Sequence, residues 1–304
     1  MRGDEPWFAP PCCNFLFPGS AKLLVGQQGY PPLMTLRIGH IDYLNCAPFF
    51  HYLDSAAGGH TIVRGTPARL NALLAEGRID LCPASSFEYG RHASRYLLLP
   101  GLSISAIGPV HSVLLFGEKT VQEGFSEPIA ITGESASSVA LLQILLEEAG
   151  AGPGNRFYAP QDSVEQAIKA GGSGLLIGDR ALKAAKEGIA PQVTDLGALW
   201  HAFSGLPFVF ALWIVRREVV ASRRDEVNQM TRQLRAGLAR SLADLPQLAA
   251  RTTDCSYLSL QEKVAYWRAV SYGLSDVHLA GLRLFFQLAV KYRLLPQAPE
   301  PHFV

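Results

Sequence analysis

Cysteine is scarce and scattered: five in 304 residues, at positions 12, 13, 46, 82 and 255. That is neither the density of a secreted disulfide scaffold nor the paired spacing of a structural zinc site, and it fits a reducing cytoplasm. An excess of charge of one sign is also missing. The net charge of +1 supplies no basic field for nucleic acid, and the arginine-rich stretch from Arg216 to Arg240 alternates with acids and apolar residues as a solvated helix face does. Although 48% of the residues are hydrophobic, no uncharged apolar run approaches the ~20 residues needed to cross a bilayer. No His-x-x-x-His or clustered carboxylate pattern points to a metal, and no P-loop pattern points to a nucleotide. The expectation is a cytoplasmic protein without metal or cofactor, binding neither nucleic acid nor membrane.

Residues 1–33 carry proline, glycine and aromatics with no helical or strand period. Asp4, Glu5 and several prolines interrupt any signal-peptide pattern. They are expected to be a disordered or misassigned extension, Met34 standing directly before the first strand. From Leu36 onward short strands alternate with helices of ordinary length, the signature of an α/β fold. Thr66–Pro67 opens a helix with Leu70, Leu73 and Leu74 on one face; a strand passes through Ile79–Leu81; Leu97–Leu99 precedes a turn at Pro100–Gly101. Ser112–Phe116 reads as a buried strand. A second α/β unit follows, through Ile129–Ile131, a helix ending near Gly150, Leu175–Ile177 and the apolar run Phe208–Val215. After Arg216 the pattern is helical only, with a capping box at Ser259 and Glu262 and an amphipathic helix through Leu279, Leu282, Phe285, Phe286 and Val290. At roughly 100–200 residues per domain the chain should form two. One lobe is expected from 34–115 with 212–304 and the other from 116–211, with a ligand cleft between the lobes and the C-terminal helices packing on the first.

Strand ends that run into polar turns are the candidate site. In open α/β sheets the carboxyl ends of strands face the ligand crevice, which places Asp42, Tyr43 and Asn45 at its mouth; the plainer alternative has Asn45 capping the helix that begins near Pro48. The segment Thr132–Ser138 leads from a strand into a helix. There Ser135, Ser137 and Ser138 join a helix N-terminus, which suits a carboxylate or phosphate, whereas plain capping needs only one serine. Ser85 and Ser86, and likewise Ser112, place hydroxyls at strand ends or starts, with either a structural or a binding role open. Asp179 reads first as a helix cap. Gly205–Leu206–Pro207 offers backbone groups before the apolar run and is also an ordinary turn. His111 beside Ser112 in an extended segment would face the other way, so a serine-hydrolase pair is not expected. His40 is equally a core or a catalytic histidine, and Cys46 and Cys82 have no evident thiolate-forming partner.

Taken in order, Gly39–Pro48, Gly108–Val113, the serine-rich helix start, Ile177–Leu182 and Asp195–Trp200 followed by Gly205–Trp213 resemble the chorismate dehydratases of the futalosine route to menaquinone. The resemblance covers roughly Leu36 to Val215; the leader and the helical tail carry no matching motif. It implies a two-lobed fold like the type II periplasmic binding proteins, and an intracellular enzyme that removes water from chorismate to give 3-(1-carboxyvinyloxy)benzoate. It further implies Asn45 and Ser112 as the catalytic polar pair, with Ser135, Ser137 and Ser138 holding a substrate carboxylate and Asp42, Tyr43, Ser85, Ser86, Asp179, Gly205 and Pro207 as further binding candidates. No histidine–carboxylate base is evident, so either the enolpyruvyl carboxylate of the substrate itself or Asp42 would take the proton. Two rivals are the 1,4-dihydroxy-6-naphthoate synthase of the same pathway, which usually opens on a Ser-Pro-x-Pro-Asn-Asp type segment where this chain has Tyr43–Leu44–Asn45, and a non-catalytic solute-binding protein for a small carboxylate.

Overall fold

A computed structural model describes residues 36–53, 59–121, 123–125, 127–150, 157–160 and 163–304; the extension expected over residues 1–33 lies outside the described residues. Along the chain the strands are β1 (Arg37–Ile41), β2 (Thr61–Gly65), β3 (Leu81–Ser85), β4 (Tyr96–Ala106), β5 (Val113–Gly117), β6 (Ile129–Ile131), β7 (Phe157–Tyr158), β8 (Gly174–Ile177), β9 (Gln192–Asp195), β10 (Phe208–Arg216) and β11 (Val270–Ser271). Among them lie helices α1 (Ala47–Phe50), α2 (Pro67–Ala75), α3 (Ser86–His92), α4 (Ala136–Glu148), α5 (Val164–Lys169), α6 (Gly178–Glu187), α7 (Leu196–Ser204), α8 (Arg217–Ala243), α9 (Leu245–Arg251), α10 (Leu260–Ala269) and α11 (Asp276–Lys291).

These strands form two sheets, one of six in the order β11-β4-β10-β3-β1-β2 and one of five in the order β7-β6-β8-β5-β9. In the first, β1 runs parallel to β2 and β3, while β10 runs antiparallel to both β3 and β4. In the second, β6 is parallel to β7 and β8, and β5 is antiparallel to β8 and β9. The chain leaves the first sheet after Ala106, enters the second at Val113, and returns between Asp195 and Phe208. Central position accounts for the apolar runs: Phe208–Val215 and Val113–Gly117 are buried throughout, because strands covered on both faces have no solvent side to mark with polar residues. The C-terminal helices return to the first sheet, α8 packing on β4 and β10 and α11 on β10 and α3.

Local chemistry sets the helix starts. The Thr66 side chain accepts from Arg69 N ahead of Pro67, and Ser259 and Glu262 form the expected reciprocal capping box on α10. Three local expectations change. β3 starts at Leu81 and runs through Pro83 to Ser85, past its single register partner in β1, Ile38 opposite Leu81. The turn expected at Pro100–Gly101 is instead a bulge inside β4: Leu98 lies opposite Ile214 and Ser103 opposite Leu212, so the residues between loop out, with Gly101 at φ +72. Helices do not fill the whole tail either, since β11 adds a short edge to the first sheet.

Asp80, 2% exposed, ties this sheet together. Its carboxylate accepts from Arg37 N at 2.8 Å and Arg37 Nη2 at 2.6 Å and lies 3.6 Å from Arg223 Nη1, while its carbonyl accepts from Arg216 N. β1 and α8 thus meet at the buried carboxylate, and β10 joins them at the main chain of the same residue. Removing the carboxylate takes the acceptor from Arg37 N–H and one of two anions from Arg223, which keeps Glu226, so Asp80→Ala is expected to lower stability by about 2 kcal/mol, read as a shifted midpoint in urea unfolding.

Candidate active site between the lobes

A cleft of about 540 Å³, counting the part open to solvent, lies between the two sheets. Its polar lining is Tyr43, Asn45, Ser85, Ser112, Ser135 and Ser138, and its walls include Ile41, Pro67, Ile104, Ile177 and Phe210. Of the described residues that line it, none is an acid, a histidine, a lysine or an arginine.

Asn45 sits in a single 3-10 turn, Leu44–Cys46, that follows β1. It caps nothing: the residue before α1 is Cys46, and no side chain caps that helix. The turn is instead pinned through its backbone. Leu44 N donates to Asp179 Oδ1 at 2.9 Å, Leu44 O accepts from Trp267 Nε1 at 2.7 Å, and Asn45 O accepts from the Tyr272 hydroxyl at 3.0 Å. Asn45 Oδ1 is buried with no hydrogen-bond partner. Buried amide oxygens are ordinarily satisfied, so an orphan facing a cleft marks a place for a ligand donor or a bridging water.

Ser112 precedes β5 and is 1% exposed. Asp195, which also caps α7, accepts from Val110 N and His111 N, and Gly178 N donates to Ser112 O at 2.7 Å. These bonds hold the segment, and they turn His111 into the left-handed region at φ +61, not the extended form expected. His111 points to solvent. The Ser112 hydroxyl accepts from Tyr266 at 2.9 Å.

Opposite stands the N-terminus of α4. Ser135 accepts from Ser138 N at 3.2 Å as the cap, and its hydroxyl donates to Ser138 Oγ at 2.8 Å. Ser138 Oγ and the helix dipole face the cleft with no charged side chain between. Ser137 turns the other way, accepting from Phe87 N at 3.0 Å and meeting Ser85 Oγ at 2.8 Å and Ser86 Oγ at 3.0 Å. Ser86 in turn donates to Val209 O. Ser86 and Ser137 therefore fasten α4 to β3 and β10 rather than line the cleft, while Ser85, which also caps α3, does both.

Of the other candidates, only Tyr43 lines the cleft. Asp42 is exposed and paired with Arg64 at 2.8 Å, on the rim of a separate polar depression, which removes it as a base. Gly205 ends α7 in the left-handed region at φ +68, and Pro207 O accepts from Trp200 Nε1, so both shape the return to the first sheet outside the cleft. Asp179 neither caps α6 nor lines the cleft; it reaches the Leu44 turn from the other lobe. Tyr43 packs its ring on Gly178, where an added Cβ would come within 2.8 Å of it, and donates to Glu134 Oε2 at 3.1 Å. Burial and the Glu134 charge raise its phenol pKa, keeping it a donor. His40 is a buried residue with its ring tilted against Phe50 at 3.9 Å between centroids, pushed down to about 4 by burial and by Arg64. Cys46 and Cys82 are fully buried and do not line the cleft, and burial raises their thiols, so neither is placed as a nucleophile.

Sequence reasoning passed over Tyr266, Trp267 and Tyr272, and it quoted Asp195 only within a family motif, with no role assigned. The tail offered one signal: three polar-tipped aromatics within seven residues, side chains that need a hydrogen-bond partner when buried.

This architecture is a two-lobed fold of the type II periplasmic-binding-protein kind. It is similar to the alkanesulfonate-binding protein of Xanthomonas axonopodis pv. citri, at 17% identity and a TM-score of 0.67 over 87% of this chain and 95% of that one. A Candida albicans protein described as having the generic periplasmic binding protein fold matches at 10% identity and a TM-score of 0.60, over 84% and 90%. At sequence level, the family model for menaquinone biosynthesis matches residues 36–291. A chorismate dehydratase of Thermus thermophilus is 35% identical over 264 residues, 82% of this chain and 93% of that protein. The chain belongs to the menaquinone biosynthesis family.

Burial raises the Asp179 carboxyl above its ordinary 3.8. For an acid whose folded-state pKa is raised, the penalty on the charged form is absent below the unfolded pKa and complete above the folded one, so stability declines as pH rises between them. Asp179→Asn keeps an oxygen for Leu44 N–H and removes that charge. The variant's stability relative to wild type is expected to increase with pH across this window, measured by guanidinium unfolding at stepped pH.

Proposed function

We propose that this chain is a cytoplasmic chorismate dehydratase, with its lobes formed by 34–115 with 212–304 and by 116–211. The observation that carries the reading is the 35% identity to the Thermus thermophilus enzyme over 264 residues. The cleft supports it chemically. Chorismate is a dianion of drug-like size, and a cleft of this volume with a few convergent neutral donors suits one. Ser135, Ser138 and the α4 N-terminus hold one carboxylate by hydrogen bonds and dipole, without a fixed cation. Asn45 and Ser112 meet the enolpyruvyl carboxylate and the reacting edge of the ring.

Because no ionisable group of the working pH range lines the cleft among the described residues, the enolpyruvyl carboxylate of the substrate takes the proton. That proton leaves the ring carbon bearing the ether; hydroxide leaves the neighbouring carbon, and the two depart as water. The ring becomes aromatic, which supplies much of the driving force. The protein contributes orientation of the internal base and exclusion of bulk water, effects worth several powers of ten in rate.

Purified protein incubated with chorismate and followed by chromatography should yield the aromatic enol ether. Chorismate bound tightly but returned unchanged would instead indicate a solute-binding protein. Asn45→Ala and Ser112→Ala should each lower kcat by about 100-fold, the scale of one lost transition-state hydrogen bond. Asn45→Ala should leave the melting temperature near wild type, since its oxygen makes no bond in the folded chain. Wild-type turnover in both variants would overturn the assignment of these residues.

A further inference from the structure

We propose that Tyr266 is a positioning residue that fixes the Ser112 hydroxyl as a hydrogen-bond donor into the cleft. Tyr266 lies on α10 and is buried at the end of a bond from the C-terminal helices to the residue that opens β5. A serine hydroxyl has one proton and two lone pairs, and its direction is set by which neighbour claims which. Tyr266 donates to Ser112 Oγ at 2.9 Å, and the phenol has no other acceptor within reach among the described residues. One lone pair of Ser112 is therefore taken from behind. Among the described residues the Ser112 proton has only the Val110 carbonyl as an acceptor, at 3.4 Å, too long to compete with a ligand oxygen in the cleft that Ser112 lines.

Two features isolate this bond from the rest of the segment. The Ser112 backbone is held independently, by Asp195 through Val110 N and His111 N and by Gly178 N on the Ser112 carbonyl, so loss of the phenol hydroxyl does not release the segment. Burial raises the Tyr266 pKa, so the donor stays protonated throughout the working pH range. Without that hydroxyl, Ser112 is free to turn its proton to Val110 O or to accept from the ligand.

The kinetic test rests on the chorismate dehydratase reading. Tyr266→Phe keeps the buried ring and should lower kcat by about 10-fold with little change in KM, since the bond matters most where charge develops. In a Ser112→Ala background the same substitution should have no further effect. Additive losses, or an undiminished kcat in Tyr266→Phe, would overturn the proposal. Neutron diffraction from wild-type crystals decides the point without substitution or turnover. A deuteron on Tyr266 aimed at Ser112 Oγ supports the proposal; a Ser112 deuteron aimed at Tyr266 overturns it. Failure of wild-type protein to convert chorismate would remove the functional reading alone, leaving the donor direction to be settled by the neutron map.

Discussion

One carboxylate from the second lobe decides the geometry of the first lobe's ligand-facing turn. Asp179 accepts Leu44 N–H at 2.9 Å, and with Trp267 on Leu44 O and Tyr272 on Asn45 O it pins the backbone of the turn. The Leu44 N–H donor is thereby used elsewhere, and Asn45 Oδ1 is left without a partner beside the cleft. The same residue run fixes the second lobe's contribution. Gly178, next to Asp179, seats the Tyr43 ring and donates to Ser112 O. Asn45 and Ser112, 67 residues apart in sequence, are thus positioned by neighbouring residues of one helix start, together with the aromatic tail.

The cleft so formed is polar yet uncharged. An arginine or lysine inside it would bind a dianion more strongly but would also bind it equally well before and during reaction, and on the proposed mechanism it would compete for the carboxylate assigned as base. Hydroxyls and a helix N-terminus stabilise negative charge by oriented dipoles at modest cost in desolvation. Charges are kept at the periphery instead. Arg180 is paired with Glu165 at 2.6 Å, Glu148 with Lys291 at 2.7 Å, and Lys186 with Glu262 at 2.8 Å, and the last two pairs join elements of the two lobes.

Fold and site differed in how far the sequence revealed them, for physical reasons. Buried strands such as Phe208–Val215 and the amphipathic α11 declare themselves because burial dictates residue type along a short stretch. The β4 bulge does not, since Pro100–Gly101 has the chemistry of a turn, and only the register of β10 shows that the strand resumes. Asn45, Ser112, Ser135 and Ser138, which line the cleft, were nominated through strand-end position and family resemblance. Asp42 was misplaced: it is exposed and paired with Arg64 on the rim of a separate depression and does not line the cleft. Ser137 and Ser138 were indistinguishable as letters, yet a rotation of about 100° along the helix sends one to the lobe contact and the other to the cleft. Tyr266 and Tyr272 could not be assigned because their partners lie more than 150 positions away in the chain.

The central claim is that substrate sits between Asn45 and Ser112 on one side and the α4 N-terminus on the other. A crystal structure with the aromatic enol ether bound tests it most directly. The account places the ring carboxylate within hydrogen-bonding distance of Ser135 or Ser138 and the enolpyruvyl carboxylate against Asn45 and Ser112. Binding in the depression beside Asp42 and Arg64, or in the cleft with Asn45 Oδ1 still unpartnered and its amide untouched by ligand, would contradict it.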